Sequence, residues 1–409
     1  MRHNKQLATV GTLLLLIAAF GLTAQAKTTL AVGTWLTIDE WESSYGNQMD
    51  VFKNTNLDVE LDIISIAMHG EYAAKVAVLA ATGDIPDVLQ IPPEQVAPLA
   101  SGGVLENLDP WMAKDKTLDT RAWIPGALQA VRYDGIMFGM PGYVVNYTYA
   151  YNRDILAERG VAAPASDKWV TWDEIRDIAK RSTVDTDGDG EPDIWGFFHD
   201  NRYTEILPLI FQAGWHVFDK DNLLDIDAPP VYKGMNWLLS LMRERLHGGS
   251  RNMFYQGQVA TMRMGSWEMD NILRAQTPIG VTSGIQDVTR GEVAYVTSFA
   301  MTTKAQNKDA AWRYLKYLTS RESQAFVVAR GRVPMRRDVS LAGDTKEILT
   351  GLMNSLGYAQ PYPYHIHSNY IQSAFNSGMS PVWQGDMTPE AAVPEIQRTI
   401  NAYLRQQSQ

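Results

Sequence analysis

Thr28–Thr34 reads TTLAVGT, Leu57–Ile66 reads LDVELDIISI, Glu71–Thr82 reads EYAAKVAVLAAT and Pro86–Gln90 reads PDVLQ. The first run is rich in β-formers and closed by Gly33, which predicts a buried strand. The second alternates apolar and polar residues and predicts another strand. The third has helical spacing and stops at Gly83, a residue suited to ending a helix in the left-handed conformation. The fourth predicts a further short strand. Alternating strand and helix predicts an α/β domain with a mostly parallel sheet. Ligands of such sheets lie beyond the carboxyl ends of the strands, where Trp35 and residues 90–95 fall.

Further along, Tyr143–Asn152 is strand-like and rich in tyrosine. Thr171 with Glu174 three residues later makes a capping box, so a helix is expected over Trp172–Ser182. Tyr232–Leu246, Asp309–Thr319 and Glu390–Arg405 have the spacing of amphipathic helices. The chain has no internal repeat and no long linker, so its 409 residues are expected to form two interwoven lobes. Crossings between lobes are expected near Pro141, Val296 and Pro334.

Composition excludes several chemistries. With 36 Lys and Arg against 46 Asp and Glu, the formal charge is −10, the wrong sign for wrapping nucleic acid. Zero cysteine removes disulfides, thiolate metal sites and cysteine nucleophiles. The chain carries 12 Trp, 18 Tyr and 11 Phe, a large supply of flat apolar rings.

The amino end reads as an address. Arg2, His3 and Lys5 precede an apolar run from Leu7 to Leu22, and Ala24-Gln25-Ala26 supplies small residues at both ends of a tripeptide. This is the pattern of a secretory signal peptide over residues 1–26. The apolar run is shorter than the ~20 residues a spanning helix needs. With no cysteine to carry a lipid, the mature chain is expected to diffuse freely, and a periplasm would retain it.

Five blocks in order resemble a known family: Ala81–Val88 (ATGDIPDV); Ala150–Leu156 (AYNRDIL) with Gly160, Pro164 and Thr171-Trp172-Asp173-Glu174; Gln256–Trp267 (QGQVATMRMGSW); Ser298–Arg337, with NKDAAWRYLKYLTSRESQ and GRVPMRR; and Met387–Ala392 (MTPEAA). They resemble the extracellular solute-binding proteins of ABC importers, in the carbohydrate-binding group that includes maltose-binding protein. The resemblance covers nearly all of the chain after residue 26. It implies a two-lobed periplasmic-binding-protein fold, each lobe a mostly parallel sheet flanked by helices, with the ligand cleft between lobes. On that basis residues 27–142 with 295–335 form the amino-terminal lobe, and 143–294 with 336–409 the carboxy-terminal lobe. It also implies a monomer that closes on ligand and docks on permease subunits in the inner membrane.

A sugar presents apolar C–H faces and a rim of hydroxyls, so its site mixes aromatic rings with hydrogen-bonding side chains. The resemblance places Trp267 and Glu268, after the Gly265-Ser266 turn, in contact with sugar. Trp35 faces the cleft by topology, with Asp39 and Glu40 just beyond it. Glu94 and Gln95 align with a polar pair of the maltose-binding branch. That branch has an aromatic, an aspartate and an arginine there, whereas this chain has Ile91, Pro92 and Pro93 before Glu94, and Gln90 is the neighbouring candidate. Asn146 and Tyr147 precede AYNRD where the family places a polar contact. Asn201, Arg202 and Tyr203 align with a polar and aromatic strip, and Trp215 follows the Ala213-Gly214 turn. Tyr364 lies in the loop PYPYHIH, whose His365 and His367 lack a clear third metal ligand.

Residues 185–193 read DTDGDGEPD. Asp185, Asp187 and Asp189 stand at alternate positions with Gly190 next, Glu191 offering a backbone oxygen and Asp193 at the ninth place. This is the first half of a calcium loop, although Gly196 stands where a bidentate glutamate is expected. An Asp/Gly-rich turn is the alternative. A structural Ca2+ and no organic cofactor are expected.

The chain has no GxSxG elbow, Walker loop, HExxH or GxGxxG. A carbohydrate-active enzyme would need two carboxyls across a scissile bond, which a sequence cannot display. A non-enzymatic carbohydrate-binding protein is expected. Glycerol phosphates or other polyols, and polyamines, are the alternative ligands.

Overall fold

Strand β1 (Thr28–Thr34) feeds helix α1 (Ile38–Thr55) through a turn capped by Thr37, whose hydroxyl accepts from the Glu40 amide while the Glu40 carboxylate accepts from the Thr37 amide. That reciprocal cap starts the helix. Trp41, Tyr45, Gln48, Met49 and Phe52, on one face of α1, are buried against the sheet. β2 (Val59–Ser65), α2 (His69–Thr82) and β3 (Val88–Ile91) follow, so the strand, helix and strand alternation expected over this region is present. Gly83 ends α2 at φ +86, a conformation open to glycine without strain. The computed structural model describes residues 27–66, 69–269, 271–272, 278–341 and 345–407. The leader expected over residues 1–26 lies outside the described residues.

The site depends on β4 (Met140–Asn152), α3 (Trp172–Ser182), β5 (Trp195–Phe198), α4 (Tyr203–Gln212), β6 (Val259–Gly265), β7 (Glu292–Met301), α5 (Arg321–Ala329), α6 (Lys346–Leu356) and α7 (Ser368–Gln384). The main sheet runs β2-β1-β3-β7-β4-β6-β5. β1 lies parallel to both β2 and β3, and β5 lies parallel to β6. The central pairs are antiparallel: β3 with β7, β7 with β4, and β4 with β6. The result is a mixed α/β architecture, parallel toward its two outer ends.

Its centre is carried by long strands. All thirteen residues of β4 are buried. Its first half pairs with β7, Val144 opposite Val296, and its second half with β6, Tyr147 opposite Gly265. A bulge between Thr297 and Ser298 interrupts the β7 register, and Val333–Pro334 adds a short antiparallel pair on Tyr143 and Val144. The crossings expected near Pro141, Val296 and Pro334 therefore fall within strands that run side by side.

The expected helices are present, with shifted ends. The helix expected over Tyr232–Leu246 spans Pro229–Arg243: prolines at its first turn leave no amide unsatisfied, and Arg245 at φ 55 lies past its end. The capping box at Thr171 and Glu174 forms as read.

Candidate functional site: an aromatic cleft over a buried ion network

A cleft of about 720 Å³ opens where the ends of β1 and β3 meet the middle of β4 and β7. Trp35 and Leu36 come from the end of β1, Ser44 and Tyr45 from α1, Pro93 and Glu94 from beyond β3, and Tyr143, Val145 and Tyr147 from β4. Further lining comes from Arg202, Tyr203, Thr204 and Glu205 at the start of α4, Trp267 after β6, and Tyr295 and Thr297 on β7. Arg330, Arg332 and Tyr362 come from the connections after α5 and α6, and Gln372 and Asn376 from α7. The strand contributions obey the two-residue alternation of side chains. Tyr143, Val145 and Tyr147 share one face, and Val145 pairs directly with Tyr295 and Tyr143 with Thr297.

Aromatic rings line this wall edge to face. Tyr147 meets Trp267 at 4.9 Å between centroids and Tyr295 at 5.8 Å, and Tyr295 meets Tyr362 at 5.5 Å. Such pairs fix ring orientation beyond the effect of burial. Each phenol has a partner: Gln372 Nε2 donates to Tyr362 Oη at 2.9 Å, and Tyr147 Oη donates to Glu205 Oε1 at 2.9 Å while contacting Tyr295 Oη. Burial pushes the Tyr147 and Tyr295 phenols well above their ordinary range, so both stay protonated.

Behind the rings lies a buried ion network. Arg263 of β6 is 3% exposed. It pairs with Glu205, donates to Glu292 Oε2 from Nη2 at 3.0 Å and from Nε at 3.2 Å, and places its Cζ 3.3 Å from the Tyr147 ring centroid. Burial alone would lower Arg263, but Glu292 and Glu205 hold it above its ordinary value. Burial pushes the Glu292 carboxyl up while Arg263 opposes it. Arg251 reaches Glu205 at 3.5 Å and Asp200 at 3.6 Å and pairs with Glu268. Its Cζ sits 5.6 Å from the Trp267 ring centroid. Two arginines thus bridge four carboxylates, and breaking any one of these buried pairs would strand a charge behind the wall.

Of the residues anticipated from sequence, Trp35, Glu94, Tyr147, Arg202, Tyr203 and Trp267 line the cleft together. Seven others are placed elsewhere, each for a physical reason. Asn146 is one residue off the cleft face of β4 and donates to Leu352 O at 2.7 Å and to Ser355 of α6. Gln90 is fully buried beneath the floor, between Thr34 Oγ1 at 2.5 Å and Tyr45 Oη at 2.9 Å. Asp39 and Glu40 are exposed in the first turn of α1, where Glu40 is spent on the Thr37 cap. Glu268 points behind Trp267 to Arg251 and Tyr255. Trp215 donates from Nε1 to Asp225 O at 2.8 Å and stacks on His216. Tyr364 lies behind Tyr362, 5.2 Å between ring centroids.

Sequence reading missed Tyr45, Tyr143, Glu205, Tyr295, Tyr362, Arg330, Arg332 and the polar pair Gln372 and Asn376. Tyr143 was reachable, because it shares the parity of Tyr147 on an identified strand. The others converge from distant segments.

In the acidic loop, one carboxylate oxygen from each of Asp185, Asp187 and Asp193 lies within 4.8 Å of the others. Asp189 and Glu191 stand outside that group. Asp189 Oδ1 accepts from the Glu191 amide at 2.7 Å, and Glu191 pairs with Arg245. Asp185 accepts from the amides of Gly188 at 2.7 Å and Gly190 at 2.9 Å, which folds the loop around it. Bonds from Thr186 hold the Asp193 carboxyl below its usual range.

Residues 47–348 match the family described as bacterial extracellular solute-binding protein. The chain belongs to this family. Among relatives of this solute-binding protein, a maltotriose-binding protein of Pyrococcus abyssi is 22% identical over 300 residues, covering 68% of this chain and 62% of its own length. The match thus spans less than two thirds of that relative. An arabinooligosaccharide-binding protein of Halalkalibacterium halodurans is 23% identical over 319 residues, covering 67% of each. An ABC substrate-binding protein of Listeria monocytogenes, solved in complex with cycloalternan, superposes with a TM-score of 0.84 at 22% identity, covering 92% of this chain and 99% of that one. The two-lobed binding-protein fold follows from that likeness. Among the described residues no helix is long and apolar enough to cross a membrane.

Proposed function

We propose that this chain is the periplasmic substrate-binding component of an ABC importer, a monomer that holds an oligosaccharide or sugar derivative between its lobes and passes it unaltered to the permease. The observation that carries this reading is the cleft wall: Trp35, Tyr45, Tyr143, Tyr147, Trp267, Tyr295 and Tyr362 are interleaved with Glu94, Thr204, Gln372 and Asn376. Rings cover the C–H faces of a sugar, and polar groups take its hydroxyls, each of which would cost about 1–3 kcal/mol if buried unpaired. A volume of about 720 Å³ suits a ligand larger than one ring. The names of the two relatives, which bind maltotriose and arabinooligosaccharides, support the same ligand class. Closing the lobes around ligand is the motion such folds use.

A polyamine would need facing carboxylates. The cleft offers Glu94 and Glu205, and Glu205 is already engaged by Arg263 and Arg251. Calorimetry with mono- and oligosaccharides, glycerol phosphates and polyamines tests the reading. Heat with sugars supports it, and heat with polyamines alone would overturn it.

The loop at 185–193 is proposed to hold a structural Ca2+ through Asp185, Asp187 and Asp193. Oxygen donors of like charge held this close suit a hard cation.

A further inference from the structure

Helix α7 carries three amides on one face. Asn369, Gln372 and Asn376 fall at i, i+3 and i+7, positions that share one side of a helix. Each spends one end of its amide on a different segment. Asn369 Oδ1 accepts from Gln95 Nε2 at 2.9 Å, Gln372 Nε2 donates to Tyr362 Oη at 2.9 Å, and Asn376 Oδ1 accepts from the Tyr203 amide at 2.8 Å. The helix is thereby tied to the segment after β3, to a tyrosine of the aromatic wall and to the start of α4. Gln372 and Asn376 both line the cleft.

The chemistry of its partner fixes which way Asn376 points. A backbone amide only donates, so the atom facing Tyr203 is the oxygen, and the NH2 group is the end left over. Tyr203 is the first residue of α4, whose N-cap Arg202 makes no side-chain cap. Asn376 supplies that cap from another helix and satisfies one of the amides that a helix start leaves open. Among the described residues nothing accepts from Asn376 Nδ2, and the side chain belongs to an exposed residue of the cleft wall. Gln372 is its complement: with Nε2 on Tyr362, Oε1 is left as an acceptor. Residues four apart on a helix have Cβ atoms about 5–6 Å apart, within the span of one sugar ring.

We propose that Asn376 and Gln372 read a single sugar unit together. Asn376 Nδ2 donates to an oxygen of that unit, and Gln372 Oε1 accepts from one of its hydroxyls. This rests on the sugar-binding reading above and deepens it. Because its oxygen is held by α4, Asn376 meets ligand only as a donor, so it selects for an acceptor oxygen at this place and refuses a unit with an ammonium group there. Both amides are oriented before ligand arrives, which lowers the cost of ordering them on binding.

Asn376→Asp separates the two roles, since it keeps the oxygen that caps α4 and replaces the donor with an acceptor of the same shape. A carboxylate at a helix start is favoured, so this variant is expected to melt at or above the wild-type temperature, whereas Asn376→Ala loses the cap and melts lower. Calorimetry with maltotriose, xylotriose, arabinotriose and mannotriose finds the trimer that the wild type binds most tightly. Asn376→Asp is expected to bind that trimer about tenfold or more weakly. Ser377→Asp makes the same change of charge at the next residue, which is exposed and outside the cleft lining, and is expected to bind as the wild type does. Wild-type affinity in Asn376→Asp would overturn the proposal and leave the sugar-binding reading standing. So would melting as low as that of Asn376→Ala, because the oxygen would not then be the cap. Equal weakening by Ser377→Asp would overturn it as well, the loss being one of charge. If the wild type binds none of the trimers, the proposal and the reading beneath it fail together.

Discussion

Tyr147 Oη donates to Glu205 Oε1 at 2.9 Å, joining the aromatic wall of the cleft to the ion network behind it. A cleft residue on the central strand thereby depends on a carboxylate at the start of α4, and that carboxylate depends on Arg263. The wall's geometry is therefore tied to Arg263, a charge buried behind it.

Replacing Arg263 with Ala should be severely destabilising. It leaves Glu205 and Glu292 buried, with Arg251 as the remaining cation near Glu205. Stranding a buried charge costs about 3–5 kcal/mol. The double variant Arg263→Met with Glu292→Leu removes opposite charges together and should lose less. Denaturant midpoints of the two variants compare them directly. A double variant weaker than Arg263→Ala would contradict the picture of mutually compensating charges.

Trp267→Ala should weaken sugar binding by roughly 10- to 100-fold, the effect of losing about 1.5–3 kcal/mol of aromatic burial. It also removes the ring that meets Tyr147 edge to face, so part of the loss should come from a looser Tyr147. Trp267 and Trp35 both line the cleft, and saturating sugar should shift the tryptophan emission of the wild type. Fluorescence titration of wild type and variant measures both effects. An unchanged spectrum would count against these two rings as contacts.

How much was legible in the sequence follows from which contacts are local. The strands and helices of residues 28–91 follow from period and end signals, and these are short-range. Trp35 and Glu94 were legible as cleft residues because strand ends define the opening. The pair Asn146 and Tyr147 was located to the right strand but not to one face, because parity needs a known neighbour, here Tyr295 opposite Val145. Glu40 carried a readable warning, since a threonine three residues before a glutamate marks a helix cap. Arg263 and Glu205 lie 58 residues apart and no local pattern joins them. Arg330 and Arg332 were visible as residues, but not as a pair beside Tyr45 and Tyr143, which come from other elements.

Acid should destabilise the protein through two buried imidazoles. Burial drives His199 well below its ordinary value and also lowers His247, whose ring Nε2 lies 2.8 Å from His199 O. In the unfolded chain both take up a proton near pH 6.5, while in the folded chain burial opposes that uptake. The unfolded state therefore binds more protons as pH falls, and stability rises with pH across this window. The full contribution is present above about pH 6.5 and is lost progressively below it, by up to about 1.4 kcal/mol per pH unit for each imidazole held neutral. Melting temperatures between pH 7.5 and about 5 should fall, and His247→Gln should flatten the curve. A variant whose slope equals that of the wild type would sink this assignment.

The acidic loop yields a prediction of the opposite kind, a stability that depends on an added ion. Asp185, Asp187 and Asp193 each offer an oxygen within 4.8 Å of the others, so without a cation their mutual repulsion opposes the folded loop. A cation at a hundred times its dissociation constant would add about 2.7 kcal/mol to stability. A chelator should lower the melting temperature, and added Ca2+ should restore it. Asp187→Asn removes one charge from the group and should lessen both responses. The loop's internal bonds, from the amides of Gly188 and Gly190 to Asp185, shape the turn without any metal. If those bonds suffice, chelation leaves melting unchanged, Asp187→Asn behaves as an ordinary surface change, and the loop is a turn rather than a metal site.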